Sequence, residues 1–378
     1  MQTSPVDLIS AGHICLDITP QFLNSTSDRS LDRLLRPGSL IVVGPTSIST
    51  GGAAANVGLC AKRLGLSVAL MGKCGDDSLG RTLLEVLGRF SPTCASGMRV
   101  TPGEHTSYSV VLAVPGADRI FLHCPGANDT FAAEDVDLEL ASRARLFYFG
   151  YPPLMARMYA DDGVELARLL GDVKQRSVTT ALDMALPDPA GAAGKADWQA
   201  ILREALPQVD LFLPSVEELT FMLRRGEYDR LTRDGDILDG LSIELLRDLA
   251  EECLAWGPAV VMIKCGRHGL YVRSAPAERI GAMGSAAPAA AGWADREVFA
   301  PSYKVPQVVS ATGSGDAAVA GFLAGLLHGA DLSAAADYAC AAGGQNVQAV
   351  DAVSGLKSWE ETTSQLAAAR VEPVIKLR

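Results

Sequence analysis

Toward its carboxyl-terminal end the chain carries Ser310-Ala311-Thr312-Gly313-Ser314-Gly315-Asp316, followed at once by Ala317-Ala318-Val319-Ala320-Gly321-Phe322. Small residues run straight into an apolar helix pattern. Two glycines at a helix start let backbone N–H groups face open space without Cβ obstruction, and the helix dipole adds about half a positive charge there. The spacing predicts an anion cradle at Gly313, Ser314 and Gly315. Asp316, in the first turn, is expected to be held ionised by the same dipole and to accept a hydroxyl proton during attack on a phosphoryl group. Taken alone, the motif reads equally well as a glycine loop with a helix-capping aspartate.

Gly313-x-Gly315-x-x-Ala318 also fits the dinucleotide pattern G-x-G-x-x-G/A, with Asp331 or Asp337 roughly where a ribose-binding acid belongs. Its place argues against that, because too little chain follows to build a βαβαβ half. The pattern G-x-x-x-x-G-K-[ST] is absent, which excludes a P-loop enzyme. A second glycine-rich loop, Ser49-Thr50-Gly51-Gly52-Ala53-Ala54-Ala55-Asn56, leads into another helix pattern. Gly51 and Gly52 would let a ligand approach the backbone, and Asn56 offers a donor and an acceptor suited to a sugar hydroxyl.

The 378 residues are 48% hydrophobic and 20% charged, with a formal net charge of −11. Such a chain buries a core, and without a basic cluster it has no electrostatic footprint for nucleic acid. No stretch approaches the ~18 apolar residues of a membrane span and the start lacks a secretory pattern, so a cytoplasmic protein is expected, with no membrane partner. The eight cysteines are scattered without a C-x-x-C pair, which favours reduced, buried thiols. The five histidines show no i, i+4 pairing and sit near no cysteine pair, so the sequence gives a zinc site no support.

Around these motifs, short apolar runs alternate with amphipathic stretches. Strands are expected at Val6–Ala11, Val68–Gly72, Leu146–Phe149, Thr179–Leu182, Leu211–Leu213 and Ala259–Lys264. Helices are expected at Ala53–Leu64, Ser78–Phe90, Leu154–Leu170, Trp198–Leu206, Ile243–Trp256, Ala317–His328 and Ala334–Val350. This order predicts an α/β fold, a three-layer α/β/α sandwich around a largely parallel sheet. Thr106–Val114 and Arg119–Cys124 read as a hairpin about Pro115-Gly116-Ala117-Asp118. With residues 17–45, including polar Asn24–Asp28 and strand-like Ser39–Val43, residues 105–124 are expected to form a small β lid inserted in a single domain spanning 1–378. Residues 275–300, rich in Ala, Pro and Gly over Ala275–Gly292, suggest a flexible surface excursion.

Taken together, the blocks Gly51–Gly80 and Ala311–Phe322 resemble the two signatures of the ribokinase, or phosphofructokinase B, family of carbohydrate and nucleoside kinases, and the resemblance runs from about Val6 to Gly355. It implies a ribokinase-like fold and ATP-dependent phosphoryl transfer to a sugar hydroxyl, with Asp316 as general base and Gly313, Ser314 and Gly315 as anion hole. It also implies that Asp17, Gly51, Gly52 and Asn56 bind the sugar, and that Lys264, Gly266 and Gly269 border the nucleotide, with Cys340 and Asn346 near adenine. Glu218, in Pro214-Ser215-Val216-Glu217-Glu218, inherits the family glutamate that organises Mg²⁺ through water, although Ser215 departs from the usual Asn. The lid is the face through which a homodimer would form. A nucleoside kinase of the same family, a non-catalytic sugar-binding regulator on the same fold and, more distantly, a nicotinamide-dependent dehydrogenase are the alternatives.

The resemblance also yields a prediction about potassium, which activates many relatives through a site that includes a carboxylate six residues before the catalytic aspartate. Here that position is Ser310. A neutral hydroxyl gives one weak oxygen ligand where a carboxylate gave both oxygen and charge, so potassium is not expected as a cofactor. Replacing KCl with a tetramethylammonium salt at fixed ionic strength should leave activity nearly unchanged. A several-fold, saturable activation by potassium over sodium would contradict this and show that the site survives without its usual carboxylate, for which Asp135 and Asp351 are the candidate substitutes.

Overall fold

The computed structural model describes residues 6–23, 36–114, 119–233, 235–368 and 370–371. Thirteen strands form among them: β1 (Val6–Gly12), β2 (Cys15–Pro20), β3 (Thr46–Gly51), β4 (Val68–Gly75), β5 (Gly97–Thr101), β6 (Tyr108–Leu112), β7 (Ile120–Cys124), β8 (Ala144–Gly150), β9 (Thr179–Asp183), β10 (Leu211–Phe212), β11 (Val260–Lys264), β12 (Gly269–Ser274) and β13 (Glu297–Pro301). Nine of them make one sheet in the order β13-β12-β11-β10-β9-β8-β1-β4-β5, and the other four make a second sheet, β3-β2-β6-β7. From β11 to β5 the large sheet is parallel throughout, and beyond β11 the strand β12 runs antiparallel to both of its neighbours, β11 and β13.

The apolar runs form strands because both of their faces are covered. Along β1, Leu8 joins one hydrophobic core and Ile9 the other; along β11, Val260 and Met262 point to the first, Val261 and Ile263 to the second. Helices α1 (Ala53–Arg63) and α2 (Ser78–Phe90) lie on the first face. The second is covered by α3 (Val164–Lys174), α4 (Trp198–Ala205), α5 (Val216–Leu223) and α6 (Ile243–Ala255). Then α7 (Ser314–Leu327) and α8 (Leu332–Asn346) complete the first face. The three-layer α/β/α expectation holds.

Three details differ from the sequence-based expectation. The helix expected over Leu154–Leu170 is split into Ala156–Tyr159 and α3, because Asp161, Asp162 and Gly163 adopt left-handed φ values of 48°, 53° and 81°. Asp and Gly tolerate that region, so the chain turns there instead of winding on. Ser39–Val43 is not a strand; the lid strand is Thr46–Gly51, so the glycine loop begins as the end of β3. The hairpin β6–β7 forms as an antiparallel pair, with its tip, Pro115–Asp118, outside the described residues, as is Asn24–Asp28. Nor is 275–300 a loose excursion: Ile280, Met283 and Trp293 are buried, Ala286 N–H donates to Thr179 Oγ1 at 2.9 Å, and β13 extends the sheet. Its small side chains serve close backbone packing.

The topology fixes where chemistry can occur. All parallel strands end on one edge, where Gly12, Gly150, Asp183 and Lys264 stand at or next to strand ends and α7 begins. Ligands of open α/β sheets bind at that edge.

Candidate active site

Asp316 lies in the first turn of α7, whose N-cap Gly313 has a left-handed φ of 75°. A Cβ on Gly313 would sit 2.3 Å from Ala352 Cβ, so both conformation and space require glycine there. The helix leaves its first N–H groups without intrahelical acceptors, facing the cleft. The loop before it is tied internally: Thr312 N–H donates to Ser310 Oγ at 3.1 Å, and Asn346 Nδ2 to the Thr312 carbonyl at 2.9 Å. Asp135 and Asp351 are committed elsewhere, the first to Arg99 and Lys73, the second to the N–H groups of Val353 and Ser354.

Two donors grip the Asp316 carboxylate. Asn56 Nδ2, on α1, donates to Oδ2 at 2.8 Å, and the Tyr151 hydroxyl donates to Oδ1 at 2.7 Å. Burial pushes the Asp316 pKa up, and it ends above the usual carboxylate range although Asn56, Tyr151 and Lys264 all favour the ionised form. This corrects the expectation that the helix dipole governs the group. A carboxylate with a raised pKa is a stronger base, which suits proton abstraction.

Tyr151 and Asp183 were not singled out from sequence. Tyr151 follows β8 with a left-handed φ of 66°, uncommon for a bulky residue, and this turn aims its ring at α7. Asp183 is fully buried at the end of β9, with Lys264 Nζ 2.5 Å from Oδ1 and the Tyr148 hydroxyl 3.3 Å from Oδ2. Burial raises the Asp183 pKa. Burial also works against charge on Lys264, but the carboxylates of Asp183, Glu218 and Asp316 outweigh it and hold the lysine protonated. The available signal was an acid directly after an apolar strand run, visible as Leu182-Asp183.

The cleft is lined by Tyr151, Ser215, Glu217, Glu218, Lys264, Gly266 and Gly313–Asp316, and encloses about 240 Å³. Glu218 Oε2 accepts the Ser215 N–H at 2.6 Å while Ser215 Oγ accepts the Glu218 N–H at 3.2 Å, a capping box that opens α5. One carboxylate oxygen is thereby committed, which fits a metal met through water. Gly266, with φ 51°, lines the cleft as expected. Gly269 instead belongs to the sheet edge, where a Cβ would lie 2.0 Å from the Ala300 carbonyl. Cys340 turns into the core, its Sγ donating to the same carbonyl at 3.3 Å, and Asn346 is fully buried behind the cradle. Neither lines the cleft: Cys340 sits on the α8 face that packs against β13, and Asn346 holds the loop that precedes the cradle.

On the lid side, Asp17 points from β2 toward Gly51. A Cβ on Gly51 would lie 2.5 Å from both carboxylate oxygens, and one on Gly52, at φ 86°, would lie 2.5 Å from the His13 carbonyl. The two glycines therefore make room for Asp17 and His13 as well as for a ligand. Burial raises the Asp17 pKa to about 6. Asn56, expected to face a sugar, spends its NH₂ on Asp316 and leaves Oδ1 buried without a partner.

The family pattern described as pfkB family carbohydrate kinase matches residues 13–359. An uncharacterized sugar kinase of Archaeoglobus fulgidus is 25% identical over 270 residues, which is 71% of this chain and 87% of the relative. The 2-dehydro-3-deoxygluconokinase of Thermoproteus tenax is 27% identical over 311 residues, 81% of this chain and 82% of the relative. The structure of Arabidopsis thaliana ribokinase complexed with ribose and ATP has the same fold, with a TM-score of 0.71 at 20% identity, covering 97% of this chain and 100% of that one.

The Tyr151–Asp316 hydrogen bond yields a prediction. In Tyr151→Phe the ionised carboxylate loses a donor, so Asp316 should titrate at higher pH than in the wild type. Carbon-13 carboxyl NMR on aspartate-labelled protein, with Asp316→Asn to assign the signal, reads this directly. An unchanged or lowered titration point would show that the hydroxyl does not hold the charged form.

Proposed function

Since this chain belongs to the pfkB family of carbohydrate kinases and is an ATP-dependent sugar kinase, we propose that Asp316 is its general base and that the lid residues around Asp17 hold the acceptor sugar. The observation that carries the reading is the buried Asp316 carboxylate at the α7 start, gripped by Asn56 and Tyr151 and bordering the cleft that Glu218, Lys264 and Gly313–Gly315 also line.

In this reading the acceptor hydroxyl meets Asp316, which orients it and takes its proton as the oxygen attacks the γ-phosphorus. The N–H groups at the α7 start and the Lys264 ammonium stabilise charge growing on the transferred group. Asp183 keeps Lys264 in place through their ion pair. Glu218, with one free carboxylate oxygen, is the residue that would organise Mg²⁺ through water, and the ion would supply neutralising charge to the ATP phosphates. On the sugar side, Asp17 and the unpartnered Asn56 Oδ1 supply acceptors for hydroxyls, and lid closure excludes water.

Three further readings rest on narrower support. Across the lid, Ile48, Ile18, Val110 and Leu122 stand in one cross-strand row, with Ile48 and Leu122 about half exposed, which suits a homodimer through that face. The unpaired cysteines fit a reducing, cytoplasmic setting. Ser310, with its hydroxyl bound to Thr312, supports activity without potassium. A nucleoside acceptor is the second reading of the same site.

A panel of sugars, sugar acids and nucleosides in a coupled ADP-release assay tests the proposal. At least one sugar should raise ADP release well above the ATP-only background. Asp17→Ala should raise the KM for that sugar about 10–100-fold, as expected for losing a charged hydrogen bond, with the KM for ATP little changed. Stimulation by nucleosides alone would favour the second reading. No stimulation by any acceptor, or an unchanged sugar KM in Asp17→Ala, would count against the proposed roles.

A further inference from the structure

Where the lid meets the end of β1, three ligand-type side chains converge that the phosphoryl-transfer account leaves unused. His13 lies between β1 and β2, Cys15 opens β2, and His123 stands on β7, more than a hundred residues away in sequence. The Nε2 atoms of His13 and His123 face each other at 3.2 Å, and each of the three residues offers a ligand atom within 4.8 Å of the other two. His13 and Cys15 are buried, while His123 is exposed, so the cluster opens to solvent on one side only.

We propose that His13 Nε2, His123 Nε2 and Cys15 Sγ form a binding site for one zinc-class transition-metal ion, with the fourth position left to water or to a ligand. Two imidazoles and a thiolate are the donor set that such ions select, whereas Mg²⁺ requires oxygen ligands. In tetrahedral zinc coordination, metal–nitrogen bonds of about 2.0–2.1 Å place the two nitrogens about 3.3 Å apart, close to the separation found here. An outer-shell partner is present for His123, whereas His13 Nδ1 is buried without one. Ser109 Oγ lies 3.0 Å from His123 Nδ1 and fixes that ring with Nε2 toward His13, as second-shell partners of metal-bound histidines do. Cross-strand pairing supports this placement, because Asp17 pairs with Ser109 and Ser109 with His123, which puts all three on one face of the lid. Binding is redox-neutral: the Cys15 sulfur donates an electron pair to the ion, and its proton passes to solvent.

The site leaves no local spacing in the sequence. No His–His or Cys–Cys motif exists in the sequence; the parallel β2–β6 and antiparallel β6–β7 pairings bring the residues together.

Cobalt titration of the chelator-stripped, reduced full-length protein tests the site without reference to kinase activity. A near-ultraviolet thiolate-to-cobalt charge-transfer band should rise to saturation at one ion per chain and be bleached by one equivalent of zinc. Cys15→Ser should abolish the band, and Ser109→Ala should weaken binding about 10–100-fold. Because His123 is exposed, His123→Gln keeps the fold intact, so zinc should raise the Tm of the wild type but not of this variant. The proposal is overturned by the absence of a band at stoichiometric cobalt, by a band that survives Cys15→Ser, or by equal zinc stabilisation of wild type and His123→Gln.

Discussion

In the proposed reading the site is organised around one constraint: a carboxylate must be kept away from water, at the start of an apolar helix, and still remain available as a base. Asp316 meets it by accepting hydrogen bonds from Asn56 on α1 and from Tyr151 after β8, so three separate elements converge on one side chain. Removing a carboxylate from water raises its pKa, and the two donors and Lys264 offset part of that rise. The net result is a base stronger than an exposed aspartate, with both oxygens oriented before any substrate arrives. Around it, the Lys264–Asp183 pair places a cation beside the cradle without leaving a buried charge unpaired.

The fold supplies these positions cheaply. Parallel strands bring Gly12, Gly150 and the residues at the ends of β9 and β11 to one edge, and α7 starts at the same level. Glycine is required where chains crowd: at Gly12, with φ 112°, a Cβ would approach the Gly150 carbonyl oxygen to 2.4 Å. The lid is attached at this crossing, since β2 begins three residues after β1 ends. Asp17 is thereby carried on the lid sheet and Asp316 on a helix of the main body, an arrangement that allows one to move with the lid while the other stays fixed.

Much of this was legible in the sequence where the signal was local. Apolar runs marked β4, β8 and β11, a mainly apolar one marked β1, and the Gly-x-Gly-Asp entry to α7 marked the cradle. Signals failed where tertiary pairing decided the outcome. Tyr151 owes its role to a left-handed turn after β8, which no spacing rule reports, and Asp183 becomes important only because Lys264 arrives beside it from β11. Asn56 was placed on the sugar because its chemistry suits hydroxyls, but its nearest partner is a residue 260 positions away. For Cys340 and Asn346, family position suggested adenine, and the contacts seen are with Ala300 of β13 and with the Thr312 carbonyl, neither of them legible in local spacing.

In the reading proposed for the site, the charge on Asp316, and not merely its shape, drives phosphoryl transfer. Steady-state kinetics of Asp316→Asn, with calorimetric titration of sugar and of ATP on the same protein, test it most directly. The account predicts a kcat lowered at least ~10²-fold, the usual scale for losing a general base, with both affinities little changed. Near-normal turnover in the variant would contradict it and return Asp316 to the role of a helix cap.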